Sequence, residues 1–375
     1  MQTGRVCAVV PPKAISSSAA PGGSGLLQRG RRHDARVSKV EQTVKEIVAG
    51  RERVAASRRE FSRRQLLRLA AALASLPLAS GPPRPATAAA GRFVAEIAPG
   101  VFVHQGRHAL FAPDNAGDIS NAGFVVGADA VAVIDTGGSA RVGTLLKAAL
   151  REVTDRPVRY VINTHMHPDH VFGNAAFAED GVTFVAHHKM ARGLAARADR
   201  YLTRNKELLG AEAFEGIRII MPTRGIEGTQ SLDLGGRALT LTAQPTAHTD
   251  NDLTVRCTRT GILFLGDLLF SEHVPTIDGS ILGWIALMER LTLEPAERVV
   301  PGHGPPAMAW PEGAKSLRGY LDRLAADVRA LIRSGKTLAD AMTSAGQSEK
   351  GAWLLFEDYN ARNASAAFAE LEWEQ

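Results

Sequence analysis

Asn163-Thr164-His165-Met166-His167-Pro168-Asp169-His170 sets three histidines and an aspartate within six residues, His165 to His170. It follows Val158–Ile162, an apolar run that reads as a buried strand. At a strand end, residues two apart point the same way, so His165 and His167 can grip one ion together. Pro168 then redirects the chain and lets Asp169 and His170 face a second ion. Neutral imidazole and carboxylate are the ligands that suit divalent zinc.

Upstream, Val101–His104, Gly123–Val126 and Val131–Ile134 read as short strands between turn residues. Ser139 can cap a helix whose apolar stripe is Val142, Leu145, Leu146, Ala149, Leu150 and Val153, ended by Pro157. Downstream come a strand at Val182–Ala186 and a polar helical stretch to about Leu209. Leu232–Leu234 and Ala238–Thr242 form a hairpin across Gly235-Gly236. Leu253–Arg256 and Ile262–Leu265 flank the turn Arg259-Thr260-Gly261, and Glu297–Val300 is the last strand, running on to His303. Three further candidate ligands each follow a predicted strand: His248, Asp267 after Gly266, and His303 between Gly302 and Gly304. Small neighbours, Ala247 among them, let backbone approach a crowded centre. His273 is a candidate substrate contact, whereas His187 and His188 read as strand-end polar residues. From Pro311 onward Leu317, Leu321, Leu324, Val328 and Leu331 recur at helical spacing. The pattern suits two β-rich sheets with helices outside.

The chain has 375 residues, 45% of them apolar, enough for one large domain with a core. Its formal charge of +5 is unevenly placed. Residues 1–88 hold 16 Lys and Arg against 5 Asp and Glu, and the remainder holds 28 against 34. The mildly acidic remainder speaks against nucleic-acid binding. No run of about 18 apolar residues occurs, so no stable membrane insertion is expected. With only Cys7 and Cys257, no thiolate metal cluster forms, and Cys257 reads as a small buried strand residue. Ser62-Arg63-Arg64-Gln65-Leu66-Leu67-Arg68, the apolar run Leu69–Ala79, the prolines 82, 83 and 85, and Ala86-Thr87-Ala88 stand in the order of a signal peptide. The paired arginines, with an earlier pair at Arg58-Arg59, resemble a twin-arginine export signal and predict a periplasmic protein. The expected division is a leader at 1–88, a catalytic domain at 92–311 and a helical C-terminal extension at 312–375, in which no motif is readable.

Taken in order, the His-x-His-x-Asp-His segment, His248, Gly266-Asp267 and Gly302-His303-Gly304, with Asp135 in Val133-Ile134-Asp135-Thr136-Gly137 ahead of them, resemble the metallo-β-lactamase superfamily over about residues 92–310. The leader, Asn121-Ala122-Gly123-Phe124 and Ile281–Trp284 are similar to its exported quinoprotein relay system zinc metallohydrolases. The resemblance implies an α/β fold, an αββα sandwich of two mixed β-sheets between outer helices. It implies a first zinc on His165, His167 and His248, and a second on Asp169, His170 and His303. Asp267 would bridge them, so two Zn(2+) per chain. It implies that a metal-bridging hydroxide, oriented by Asp169 as the catalytic residue, hydrolyses an ester, thioester or amide-type small molecule, while Asp135 fixes the histidine loop. Asp267 in place of Cys speaks against the thiolate-using lactamases, and His167 in place of a carboxylate against the di-iron oxygen reductases. Two alternatives stand beside hydrolysis: a persulfide-dioxygenase-like enzyme with one iron, and a non-catalytic periplasmic accessory protein of quinoprotein or sulfur oxidation systems. Loops 114–120 and 272–280, together with the C-terminal helices, are expected to wall the pocket. Neither the substrate nor the oligomeric state is legible.

Overall fold

The computed structural model describes residues 93–374; the expected leader, its paired arginines and Cys7 lie outside the described residues. Strands β1 (Ala95–Ala98), β2 (Val101–His104), β3 (Ala122–Val126), β4 (Val131–Ile134), β5 (Val158–Ile162), β6 (Thr183–His187) and β7 (Arg224–Ile226) form one sheet in chain order. Pairing is antiparallel from β1 to β4 and parallel from β4 to β7. Strands β8 (Thr229–Asp233), β9 (Ala238–Ala243), β10 (Leu253–Cys257), β11 (Ile262–Phe270) and β12 (Arg298–His303) form a second sheet in the order β12-β11-β10-β9-β8. There only β11 and β12 run parallel.

The period of two along each strand sorts side chains into layers. Val101, Val103, Val125, Ala132, Ile134 and Ile162 of the first sheet meet Leu239, Leu241, Val255, Phe264 and Val300 of the second. The alternate residues Phe102, Phe124, Val133 and Val161 face outward, where Leu146 and Leu150 of α1 (Ala140–Val153) cover them. Apolar residues on both faces of a strand identify a sheet buried on both sides. The N-cap of α1 is Ser139, whose Oγ accepts from the Val142 amide. Its buried stripe is narrower than expected, since Leu145 (45%) and Val153 (36%) are exposed. β5 is likewise buried only at Val161 and Ile162, the residues that lead into the motif.

The remaining helices are α2 (Pro168–Val171), α3 (Met190–Ala213), α4 (Ile281–Leu291), α5 (Lys315–Arg333), α6 (Leu338–Ser344) and α7 (Phe356–Leu371). On the outer face of the second sheet, Leu263, Leu265 and Val299 share one apolar cluster with Trp284 and Leu287 of α4. Leu317, Leu321 and Leu324 of α5 and Phe356 and Phe368 of α7 belong to the same cluster. The layers are helix, sheet, sheet, helix. Cys257 is buried in β10, and no described helix is long and apolar enough to cross a membrane.

Candidate metal centre

The candidate ligands converge at one edge of the sandwich, where β4, β5, β9, β11 and β12 deliver loops or strand ends. His165, His167, His248 and Asp267 each bring a ligand atom within 4.8 Å of the others. Asp169, His170 and His303 form a second such group. The groups adjoin: the Asp267 carboxylate lies 3.6 Å from His165 Nε2, 3.4 Å from His248 Nε2, 3.1 Å from His170 Nε2 and 3.4 Å from His303 Nε2. Asp169 Oδ2 lies 3.2 Å from His303 Nε2. All seven residues named from the sequence therefore meet, and Asp267 stands between the groups.

One placement differs from expectation. Asp267 is inside β11 rather than after it. The apolar run continues through the ligand to Phe270, so no polar residue marks a strand end. Gly266, at φ 53°, breaks the register of β11 against β12 and turns Asp267 inward. A Cβ at Gly266 would stand 2.5 Å from Thr164 Oγ1, and one at Gly302 only 1.9 Å from Asp267 Oδ1. Both positions thus need glycine for the backbone to close on the centre.

Four of the five imidazoles are aimed by their other nitrogen, whereas His303 Nδ1 is buried with no hydrogen-bond partner among the described residues. His170 Nδ1 lies 2.9 Å from Asp135 Oδ2, and His248 Nδ1 is 2.8 Å from the Thr276 carbonyl. His165 Nδ1 is 3.1 Å from Thr164 Oγ1. His167 is reversed: its Nδ1 faces His248 Nε2 at 3.0 Å, while its Nε2 donates to Asp278 Oδ2 at 3.0 Å. Asp135 does more than contact His170. It also accepts from the Thr164 amide at 2.8 Å and from Thr164 Oγ1 at 2.7 Å. It holds φ at 55°, a left-handed conformation that costs an L-residue about 1 kcal/mol. The strained residue is the one that clamps the histidine loop, where strain is commonly found.

The donor set fits metal ions. His165 Nε2, His170 Nε2 and Asp267 Oδ1 are buried with no hydrogen-bond partner among the described residues. Such groups are expensive to leave unpaired. Burial raises the Asp267 carboxyl, but the charges of His170, His303 and His165 outweigh it and hold it well below the usual carboxylate range. Asp169 is held low in the same way by His170 and His303. Conversely, burial disfavours charge on His303, yet Asp267 and Asp169 push it up to about 9. Burial and then the His170 charge keep His165 well below 6.5, and burial takes His248 down to about 3. The two carboxylates thus demand positive charge beside them. A divalent ion meets that demand on neutral imidazoles, displacing protons as it binds.

A cavity of about 460 Å³ opens over the centre, with His167, Asp169, Asp267 and His303 on its floor. His273 lines it, its ring stacked 5.0 Å from that of His303, and burial followed by the His303 charge pushes it down to about 3. His187 and His188 stack on each other at 4.4 Å, outside both ligand groups. The expected loops contribute Ile119, Thr276 and Asp278, the C-terminal helices contribute through α7, and α3 adds a side that was not expected. Arg197, Arg200, Tyr201 and Arg204 come from α3, and Asp358, Tyr359 and Arg362 from α7. None of these helical residues was singled out from the sequence, nor was Asp278. The spacing of Arg197, Arg200 and Arg204 was the available signal, since it places all three on one helical face.

The family profile of the metallo-beta-lactamase superfamily matches residues 115–303. A linear primary-alkylsulfatase of a Pseudomonas species is 35% identical over 48 residues, covering 13% of this chain and 9% of that protein. Among solved structures, the metallo-beta-lactamase from Pontibacter korlensis aligns at 22% identity with a TM-score of 0.48, covering 61% of this chain and 98% of its own. The sec-alkyl sulfatase PisA1 aligns at 13% identity with a TM-score of 0.52, covering 66% of this chain and 44% of its own. That likeness concerns the fold.

Proposed function

We infer the activity from membership and geometry together: the chain belongs to the metallo-β-lactamase superfamily, and we propose that it is a zinc-dependent hydrolase with two metals per chain. One observation carries the reading. Two groups of buried donors, joined by Asp267, converge beneath an open cavity. His165, His167 and His248 would hold the first ion, Asp169, His170 and His303 the second, and Asp267 both. Bound there, zinc supplies Lewis acidity and a nucleophilic water at neutral pH.

The chain's own residues set up that chemistry. Asp135, Thr164, Thr276 and Asp278 fix His170, His165, His248 and His167 by the far nitrogen, which sets tautomer and direction before any ligand arrives. The Asp169 carboxylate, kept below its usual range by His170 and His303, would help hold the second ion and would orient the attacking water. The Ser120 hydroxyl donates to the Asp169 carbonyl at 2.6 Å and steadies that residue. The buried floor keeps bulk water from the side chains, while the open cavity admits an ester, thioester or amide.

The completeness of the second group supports hydrolysis over a one-iron oxygenase, which needs only one site filled. Metal analysis separates the two: two zinc per chain with hydrolysis of generic ester or thioester substrates is expected, and one iron per chain would replace the hydrolase reading with the oxygenase. Fully metallated protein that cleaves none of them would favour the accessory-protein reading. We also propose export, on the signal-like order of residues 62–88. Amino-terminal sequencing of the mature protein should give a start just after Ala88, and an uncleaved chain would refute export by cleavage.

A further inference from the structure

The cavity wall carries a charge pattern that the metal ligands leave unused. Arg197, Arg200 and Arg204 project from one face of α3, over about 10 Å at the rise of an α-helix. Arg362 of α7 joins them. Outside the metal ligands, the acids lining the cavity are Asp278 and Asp358. Asp278 is already engaged: it takes Arg197 Nη1 at 2.7 Å and His167 at 3.0 Å, with Arg362 3.7 Å away. Arg200 and Arg204 have no carboxylate within 4 Å among the described residues. Like charges three and four residues apart on a helix repel each other. Two guanidinium groups that face one cavity without a carboxylate partner are placed to receive an anion. Leu208 follows Arg204 by one turn, and Phe111 also lines the cavity, so the same cavity offers apolar surface.

We propose that the substrate carries a carboxylate remote from the bond that is cleaved, gripped by Arg200 and Arg204, and an apolar portion that meets the Phe111 and Leu208 surface of the same cavity. This deepens the hydrolase reading and rests on it. The guanidinium fork matches a carboxylate through paired hydrogen bonds. The excess of four arginines over Asp278 and Asp358 on that wall also draws an anionic substrate toward the cavity before it docks. Hydrolysis at the floor and anion capture on the wall are thereby separate functions, and they can be tested separately.

The test is calorimetric titration of the zinc-loaded protein with adipate and with hexanoate. Either can offer one carboxylate to the metals, and only adipate has a second for the arginines. Adipate should bind about tenfold more tightly (~1.4 kcal/mol). In the double variant Arg200→Gln/Arg204→Gln, checked for unchanged zinc content and circular dichroism, that ratio should fall to about one. Both positions are exposed, so the variant should fold. A matched pair of p-nitrophenyl esters, hexanoate and hydrogen adipate, should show the same ratio in kcat/KM, carried by KM. Equal binding of adipate and hexanoate to the unaltered protein, or an adipate advantage that survives in the double variant, overturns the proposal. If adipate wins as expected but neither ester is cleaved, the hydrolase reading fails and the anion site stands. If both esters are cleaved and adipate has no advantage, the reverse holds.

Discussion

The floor of the cavity and its wall are built from different materials. Seven ligands rise from strand ends, a bulged strand and tight loops, each held by a hydrogen bond or a close-packed glycine. The wall over them comes largely from α3 and α7, whose cavity-facing residues are arginines and tyrosines with Asp358, Asn205 and Leu208. The floor has to hold its donors within about 0.5 Å of their working positions, as metal chemistry requires. The wall fixes charge and shape, which is what distinguishes one substrate from another. A common chemistry on a variable rim is how one scaffold hosts many activities.

The sharpest way to break that division is at the floor. Asp267→Ala should lower kcat/KM by about 10³-fold or more and reduce zinc content, well beyond the ten- to hundredfold expected for an outer partner. Steady-state kinetics with metal analysis checks it, and full activity with two zinc retained would deny Asp267 its bridging role. Next comes the support of the wall. Leu321 is fully buried in the cluster that α5 shares with α7. Leu321→Ala should cost about 3 kcal/mol of stability in denaturant unfolding, with zinc stoichiometry unchanged at native conditions. Loss of metal in the folded variant would show that floor and wall are not separable.

Asp278 is where the two regions touch. Asp278→Asn weakens the anchor of His167 and leaves Arg197 without its carboxylate. Zinc affinity should fall by about ten- to a hundredfold, read by competition with a chromogenic chelator. The smallest effect expected is on pH. Burial raises the Asp278 carboxyl, but hydrogen bonding and charge from His167, then Arg197, hold it below the usual carboxylate range. A carboxylate depressed in the folded state stabilises the protein above its unfolded value, near 4, and loses that contribution as pH falls. Between about pH 5 and pH 3 the stability of the Asp278→Asn variant should therefore decline less steeply than that of the unaltered protein. Parallel slopes would place His167 and Arg197 too far from Asp278 to matter.

The same division explains what was legible in the sequence. His165, His167, Asp169 and His170 announce themselves because few other arrangements need those residue types so close together. Strands β2 and β4 coincide with their predicted bounds, since apolar runs between turn residues have few other uses. The sequence reads as a strand at Ile262–Leu265 with Asp267 just beyond it, whereas Gly266 is a bulge within one long buried strand. Leu145 and Val153 extend the helical stripe in sequence, yet the sheet beneath covers only Val142, Leu146, Ala149 and Leu150. The C-terminal helices are expected at the wall, but which of their residues line it, and that α3 joins them, is hidden for a different reason. Arg200, Arg204 and Arg362 look like any solvated helical face until the fold sets two helices across one cavity. Tyr359, near the end of the chain, reaches a centre that begins at residue 165 through tertiary packing alone.

The most direct measurement is a zinc-edge anomalous difference map from crystals of the metal-loaded protein. Two peaks are expected, one among His165 Nε2, His167 Nδ1 and His248 Nε2, the other among His170 Nε2, His303 Nε2 and Asp169, with Asp267 touching both. A single peak at full zinc loading, or peaks away from these seven side chains, would contradict the two-metal centre on which the proposed hydrolysis depends.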